Sequence, residues 1–264
     1  MAGDTFNLDA AGIARAMGCP AANVERYWPA IQASCLENGL TDRASLIAVL
    51  ATVGTEVASF EPINEFGGTD YFTEHYEGKK ELGNTQPGDG ARFHGRGFIQ
   101  LTGRANYHTY QQKLGVPLED QPELALDGEV AARVLACYFK DHGIAEHARQ
   151  GEWKTVRERV NGGLNGWDRF NELVGRLEQA TSTAGDALVE GAIGPGVVEL
   201  KRLLKAWGQE HPLPKPIKGT ALFGPATTEA VKAFQRANGI QPTGKVGKRT
   251  WQALEAALGA EVKH

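Results

Sequence analysis

The sequence has no apolar run that approaches 18 residues, so it predicts no membrane-spanning helix and no stable membrane insertion. Cysteine is also scarce: Cys19, Cys35 and Cys137 form no CxxC pair. An odd number without that spacing argues against a disulfide framework or a zinc site and indicates reduced, mostly buried thiols. The first residues lack the basic start and apolar core of a secretory signal, so we expect synthesis in the cytoplasm without one.

Charge is unevenly distributed along the 264 residues. From Ala192 onward there are 11 Lys and Arg against 5 Asp and Glu, net +6, whereas the residues before it have 17 against 27, net −10. This asymmetry predicts a basic C-terminal module that meets an anionic surface, beside an acidic unit. The basic part lacks clustered arginines with interleaved aromatics, so we expect no nucleic-acid partner.

A helix that ends in a glutamate is the most informative feature of the sequence. Apolar residues recur at helical spacing over residues 46–53, and Thr41 or Asp42 can serve as the N-cap. The same period points Glu56 toward the interior. Burial favours the protonated form of a carboxyl group, which is the form that a general acid requires.

Glu65 supplies a second carboxylate nine residues later. Pro62 interrupts the helix between them, so Glu65 can face Glu56 across a cleft. Most glycoside hydrolases use two carboxyl groups that flank a sugar linkage, one to protonate the leaving oxygen and one to activate water or attack the sugar. An alternative remains open, in which Glu56 forms a buried ion pair while Glu61 and Glu65 are solvated loop acids.

Two segments follow this pair. Residues 66–92 are polar and glycine-rich, with little periodicity beyond DYFTEHYEG, and we predict a functional loop over a site. Residues 93–107, FHGRGFIQLTGRANY, contain a short apolar run whose alternation puts Gln100 and Thr102 on one face, as in a strand. A row of neutral hydrogen-bonding side chains suits a sugar-binding floor, and Thr102 can hold a water beside a carboxylate.

The chain resembles glycoside hydrolase family 19, which includes chitinases and lysozyme-like phage endolysins. The resemblance rests on ATVGTEVASF, GRGFIQLTGRANY and VNGGLNGWDRF, in the family's order between about Thr41 and Ala180. It implies a mainly α, lysozyme-like catalytic domain with a deep cleft. It also implies an inverting mechanism in which Glu56 is the acid and Glu65 the base. Inversion places the two carboxyl groups about 6.5–9.5 Å apart.

Further roles follow from the resemblance, residue by residue. Thr102 would orient the attacking water beside Glu65, and Arg169 would interact with the acidic pair. Arg96 would be structural first, paired with a carboxylate or capping a loop, and substrate-binding second. Glu61 competes with Glu65 as the base. Chitinases place their second glutamate much further along the chain, whereas Glu65 fits the shorter spacing of the endolysin branch. The predicted substrate-binding residues are Arg96, Gln100, Asn106, Asn161 and Arg169. No metal or organic cofactor is implied.

The C-terminal segment contains an internal repeat. LFGPATTEAVKAF and KVGKRTWQALEAA share a glycine and a threonine at positions 23 residues apart, and each glycine can open a helix. With the amphipathic segment VVELKRLLKAWG, the repeat predicts three short helices. The pattern resembles a peptidoglycan-binding domain, although a generic helical module with a packing repeat is an alternative. Possible wall contacts are Phe234, Gln235, Arg249 and Trp251, of which Phe234 and Trp251 could instead be core.

We therefore predict a catalytic domain at 1–180, a linker rich in small residues at 181–195 and a peptidoglycan-binding domain at 196–264. The predicted protein is a monomeric endolysin-type muramidase that acts on bacterial peptidoglycan in the periplasm or on the cell wall, as in phage lysis. Its reaction would be hydrolysis of the β-1,4 bond between N-acetylmuramic acid and N-acetylglucosamine. A chitinase, a lytic transglycosylase and a non-catalytic wall-binding protein remain alternatives.

Overall fold

A computed structural model describes residues 4–183 and 187–259 of the chain. The described part is mainly helical, which confirms the predicted fold class. The α-helices are α1 Ala10–Met17, α2 Ala21–Glu37, α3 Arg43–Glu56, α4 Thr69–Tyr76, α5 Asp89–Arg92, α6 Arg104–Leu114, α7 Gly128–Asp141, α8 Ile144–Arg149, α9 Trp153–Asn161, α10 Trp167–Thr183, α11 Pro195–Trp207, α12 Pro225–Ala237 and α13 Lys248–Gly259. Short 3-10 turns lie at Lys80–Leu82 and Pro122–Leu126. No helix within the described ranges has both the length and the hydropathy needed to cross a bilayer.

Helix α3 is the centre of the N-terminal unit. Asp42 is its N-cap, since the carboxylate accepts a hydrogen bond from the Ser45 backbone N–H at 2.8 Å. Every residue from Ser45 to Gly54 is buried, and α3 packs against α7, α8, α9 and α10. A helix that is covered on all sides needs apolar residues on all sides, as this sequence provides. The C-terminal end of α3 carries Glu56 out of this core.

A two-stranded antiparallel ribbon lies beside the end of α3. Strand β1, Ile63–Asn64, pairs with β2, Arg96–Gly97, in the register Ile63↔Gly97. The predicted alternating strand is wrong beyond Gly97, because residues 98–100 form a turn that returns the chain to an Arg96↔Leu101 bridge. The direction of the Gln100 side chain is therefore set by this turn and not by the alternation of a β-strand.

The segment 66–92 contains more structure than a loop. Helices α4 and α5 lie within it, and the Glu77 carboxylate accepts hydrogen bonds from the Gly88 and Gly90 backbone N–H groups, both at 2.7 Å. The Phe72 and His94 rings stack with centroids 4.1 Å apart, which attaches α4 to the residues before β2. The prediction of a loop missed these helices because two turns are too short for a clear period.

The C-terminal unit contains the three predicted helices around their own core. Gly224 and Gly247 each open a helix by the same turn: the Thr227 N–H donates to Gly224 O and the Thr250 N–H to Gly247 O, both at 2.9 Å. Both threonines are buried. The two halves of the sequence repeat are therefore structurally equivalent at these turns. The core of the unit includes Val197, Leu200, Leu204, Trp207, Phe223, Val231, Phe234 and Leu254.

The described part of the predicted linker is paired with the N-terminal residues. Phe6 and Ile193 exchange backbone hydrogen bonds, both at 2.8 Å, and Phe6 is fully buried. The Gly196 N–H donates to Thr5 Oγ1 at 3.1 Å, and Gln32 Nε2 donates to Gly191 O at 2.7 Å. Residues 184–186 of that linker lie outside the described ranges, and the domain boundaries stay a prediction.

Candidate functional site

Glu56 is held by an arginine that lies 101 residues further along the chain. Arg157, on α9, donates from Nη1 to Glu56 Oε1, and its Nε donates to Asn165 O at 2.6 Å. The Arg157 side chain is 3% exposed, and that of Glu56 is 14% exposed. Glu56 therefore forms the buried ion pair that the sequence analysis left open as an alternative.

This ion pair leaves half of the Glu56 carboxylate available. Among the described residues, no side chain or backbone group donates to Oε2 of Glu56. The guanidinium fixes the carboxylate through one oxygen and compensates its charge. Because Arg157 occupies Oε1, the proton that a general acid must donate would be carried by Oε2.

Glu65 is held by different partners. Tyr76 donates its hydroxyl hydrogen to Oε1 at 2.7 Å, and the Gly95 backbone N–H donates to Oε2 at 3.0 Å. The Glu65 N–H also donates to Gly95 O at 2.8 Å, so the backbone is fixed as well. Burial, together with the hydrogen bond to Glu65, raises the pKa of Tyr76, which keeps this phenol a donor. Both hydrogen-bond donors to this second carboxylate are neutral, and it forms no ion pair with another described residue.

Three polar oxygens converge on Gly95. A Cβ added there would lie 3.0 Å from Glu65 Oε2, 3.0 Å from Gln100 Oε1 and 3.3 Å from Thr102 Oγ1. The structure therefore brings the predicted base, the predicted water-orienting hydroxyl and one predicted sugar-binding amide to one place. Glycine is the residue that leaves this space open.

Gln100 adopts a strained backbone conformation at this place. Its φ is +53°, in the left-handed region that a residue with a side chain rarely occupies. Its Nε2 donates to Ile63 O at 3.2 Å and to Gly97 O at 3.1 Å, and Thr102 Oγ1 donates to Gln100 O at 2.9 Å. Such a conformation costs about 1–3 kcal/mol and is typical of functional sites. The side-chain bonds to the β1–β2 ribbon offset that cost.

The other predicted substrate-binding residues have varied surroundings. Asn106 is exposed in the first turn of α6 and donates to Thr102 O at 2.8 Å, next to the polar cluster. Asn161 is exposed at the C-terminal end of α9, one turn beyond Arg157. Arg96 donates to Arg92 O at 2.9 Å and His94 O at 3.2 Å, so its structural role is to cap a loop.

Arg169 does not interact with the acidic pair. Its guanidinium instead donates to Met17 O at 3.1 Å and to Glu172 Oε2 at 3.2 Å. The prediction is wrong because Arg169 lies in the first turn of α10, where the helix directs it toward α1. Arg157 has the predicted role, and a signal existed: the buried stripe of α9 includes Val156 and Arg157 together.

Tyr76 is a further residue that the sequence did not identify as functional. It ends α4, in the DYFTEHYEG segment, and its spacing from Phe72 puts both rings on one face of that helix. Glu61, the competing base, accepts a hydrogen bond from the Tyr27 hydroxyl at 3.4 Å, and within the described residues no hydrogen bond joins it to Glu65, Gln100 or Thr102.

Two of the four predicted wall contacts are internal. Phe234 is fully buried with its ring 5.2 Å from Trp207, and Gln235 is 1% exposed. Neither can contact a cell wall, because the amphipathic period of α12 turns both inward. Trp251 packs partly against the same core, and Arg249 is exposed.

Comparison with known proteins gives relatives for both parts of the chain. Residues 193–254 match the family model of a putative peptidoglycan binding domain. A glycosyl hydrolase family 19 domain-containing protein of Haemophilus influenzae is 33% identical over 98 residues, which make up 37% of this chain. The chain spans about half of that curated relative, since the match covers 47% of it.

Two solved structures are also similar at low identity. Chitinase C from Streptomyces griseus HUT6037 is 17% identical with a TM-score of 0.49, over 67% of this chain and 77% of that one. A bacterial family 19 chitinase is 17% identical with a TM-score of 0.49, over 64% of this chain and 94% of that one. From its sequence relatives, the chain has a unit similar to glycosyl hydrolase family 19, followed by a peptidoglycan-binding domain.

Proposed function

We propose that the protein hydrolyses the β-1,4 bond between N-acetylmuramic acid and N-acetylglucosamine in peptidoglycan. The observation that carries this proposal is the difference between the two carboxylates. Glu56 is anchored by Arg157 through one oxygen, whereas Glu65 is held by neutral donors within the polar cluster at Gly95. Two carboxyl groups in unlike surroundings are what acid and base roles in glycoside hydrolysis require.

In the proposed mechanism, Glu56 protonates the leaving glycosidic oxygen from its unbonded oxygen. Glu65 accepts a proton from a water molecule that Thr102 helps to orient, because Thr102 Oγ1 lies in the same cluster as Glu65 Oε2. Gln100, Asn106 and Asn161 would contact the sugars. Water then attacks the face opposite the leaving group, so the configuration at the anomeric carbon inverts.

The peptidoglycan substrate is supported by the C-terminal match rather than by the geometry of the candidate site. A chain with a peptidoglycan-binding domain attached to the hydrolase unit holds that unit at high local concentration on the wall. The charges of the two units fit a division into a catalytic part and a wall-binding part. The C-terminal unit is basic and attracts an anionic surface, whereas the N-terminal unit is acidic and does not.

Product analysis tests the reaction and the substrate together. Purified sacculi are digested, and the new ends are identified by mass spectrometry, with chitin oligomers as a parallel substrate. The proposal predicts reducing N-acetylmuramic acid ends and slower cleavage of chitin oligomers. New reducing N-acetylglucosamine ends would contradict the proposed bond, anhydro ends would indicate a transglycosylase, and preferential chitin cleavage would indicate a chitinase.

A further inference from the structure

A basic groove lies at the start of the last helix, away from the candidate site. It is a cavity of about 390 Å³ between the end of α12, the 240–247 turn and the start of α13. Among the residues that the structure describes, no acidic side chain lines it. Its lining includes Gln235, Gln241, Thr243, Lys245, Lys248 and Arg249.

The three cations of the groove are not used to pair acids. Lys245, Lys248 and Arg249 are all exposed, and none forms an ion pair with another described residue. Arg249 donates from one Nη2 to Gly239 O at 3.3 Å, which fixes the plane of its guanidinium at the edge of the groove. Three positive charges therefore face one cavity without a compensating carboxylate among its described lining residues.

The position of two of these cations is unfavourable for the helix itself. Lys248 and Arg249 occupy the first turn of α13, which contains no acidic residue. The N-terminal end of a helix carries partial positive charge, so cations there are destabilising and an anion is stabilising. An anionic ligand in the groove would interact favourably with the helix dipole and would reduce the electrostatic repulsion among the three cationic side chains.

The internal repeat shows that the fold does not require these cations. The equivalent turn opens α12, where Pro225 and Ala226 occupy the positions of Lys248 and Arg249. The two turns have the same hydrogen bonds from Thr227 and Thr250. The cations are present in one half of the repeat and absent from the other, although both halves fold in the same way at this turn. This difference indicates a functional role for the cations in preference to a structural one.

The buried side chain of Gln235 fixes the backbone around the groove. This side chain is 1% exposed, donates from Nε2 to Lys245 O at 2.8 Å and to Thr250 Oγ1 at 3.1 Å, and accepts from the Gly244 N–H at 3.0 Å. All its contacts fix the backbone that presents the cations. Binding then requires ordering of the long side chains but not of the turn, which reduces the entropic cost.

We propose that this groove binds the free carboxylates of the peptide stems of peptidoglycan. The inference rests on the proposed function, which makes the wall the target. Neutral sugars give no reason for three unpaired cations, whereas a carboxylate forms charge-assisted hydrogen bonds with lysine and arginine. The groove would therefore recognise the peptide part of the wall, while the candidate site at Glu56 and Glu65 acts on the glycan part.

Binding to sacculi without hydrolysis tests the proposal. The full chain carrying Glu65→Gln serves as the parent, and sedimentation with purified sacculi measures the bound fraction. The triple substitution Lys245→Gln, Lys248→Gln and Arg249→Gln should weaken binding at least about tenfold, as loss of several charge-assisted contacts implies. The matched control removes three other exposed charges of the same unit, Lys205→Gln, Lys215→Gln and Arg236→Gln, and should change binding by less than about threefold.

Three substrates identify the ligand. Sacculi whose free carboxylates have been converted to neutral amides should bind the parent as weakly as intact sacculi bind the triple variant. Sacculi freed of teichoic acid phosphates should bind the parent fully. Equal binding of amidated and intact sacculi, or loss of binding after phosphate removal, would overturn the proposal. Equal binding by the triple variant and the parent would also overturn it, whereas a parent that binds no sacculi would contradict the proposed function itself.

Discussion

Arg157 donates a hydrogen bond to Glu56 across the interface between α9 and α3, and the pair has little contact with solvent. The same guanidinium bonds to Asn165 O, so it also fixes the turn between α9 and α10. Burying a lone guanidinium is costly, and Glu56 is the carboxylate that compensates it. The candidate acid is therefore also part of the packing of the N-terminal unit.

Removal of either partner should destabilise the fold. Breaking a buried ion pair costs about 3–5 kcal/mol, and the partial exposure of Glu56 places the expected loss for Arg157→Gln near about 3 kcal/mol. Chemical denaturation of the wild type, Arg157→Gln, Glu56→Gln and the double variant gives the coupling energy. We expect a coupling of more than about 1 kcal/mol. If the losses of the two single variants add up to the loss of the double variant, the interaction between Arg157 and Glu56 contributes nothing to stability.

Tyr76 should support catalysis through Glu65 without being required for folding. Tyr76→Phe removes the donor to Oε1 but keeps the ring that packs near Phe72. A hydrogen bond to a charged group contributes about 1.5–3 kcal/mol, so we expect kcat to fall about tenfold or more with a smaller change in KM. The melting temperature serves as the control. An unchanged kcat would mean that Tyr76 does not orient Glu65.

A single methyl group at Gly95 should disturb the polar cluster. Gly95→Ala would bring Cβ within 3.0 Å of Glu65 Oε2 and Gln100 Oε1, so both side chains must move by a few tenths of an ångström. Small displacements of catalytic groups have large effects on rate, and we expect activity to fall about 100-fold. Gly175→Ala, where a Cβ meets nothing within 4 Å, is the matched control and should keep full activity. Normal activity of Gly95→Ala would contradict the assigned geometry.

Stability should depend on pH through Asp89 and Arg104. Arg104 donates to Asp89 at 2.5 and 3.0 Å, and these hydrogen bonds hold the pKa of the buried carboxyl below its usual range. A carboxyl with a lowered pKa in the folded state stabilises the fold above its unfolded pKa of about 4, and this contribution is lost as pH falls through the folded pKa. The free energy of unfolding, measured from pH 7 to 2, should decline on the acid side.

Asp89→Asn isolates that contribution. The variant should be less stable than the wild type by about 3 kcal/mol at pH 7, because Arg104 loses a nearly buried carboxylate partner. The difference should shrink as pH falls below about 4. A constant difference across this range would show that the ionised form of Asp89 is not the source of the stability.

The local features of this fold could be predicted from the sequence, and the long-range contacts could not. The Asp42 cap and the buried length of α3 follow from helical spacing, and the equivalent turns at Gly224 and Gly247 follow from the repeat. The ion pair between Glu56 and Arg157 could not be predicted from the sequence, because no local pattern indicates which buried arginine contacts a carboxylate 101 residues away.

The candidate site was predicted in the same uneven way. Glu65, Gln100 and Thr102 do lie together at Gly95, but not for the predicted reason. The turn after β2 and the positive φ of Gln100 bring them there, and short apolar runs do not distinguish a turn from a strand. At the C-terminal end, Phe234 was named as a possible surface aromatic, yet the period of α12 makes it core.

The most direct test of the two-carboxylate account is the clearance of purified sacculi by the wild type, Glu56→Gln, Glu65→Gln and the control Glu61→Gln. Loss of a general acid or base lowers rates by about 10²–10⁴, so the account predicts at least about 100-fold slower clearance by the first two variants. Glu61→Gln should stay within about threefold of the wild type, since the one hydrogen bond of the Glu61 carboxylate among the described residues comes from the Tyr27 hydroxyl at 3.4 Å. Full activity of Glu65→Gln, with loss of activity in Glu61→Gln, would contradict the account and make Glu61 the base.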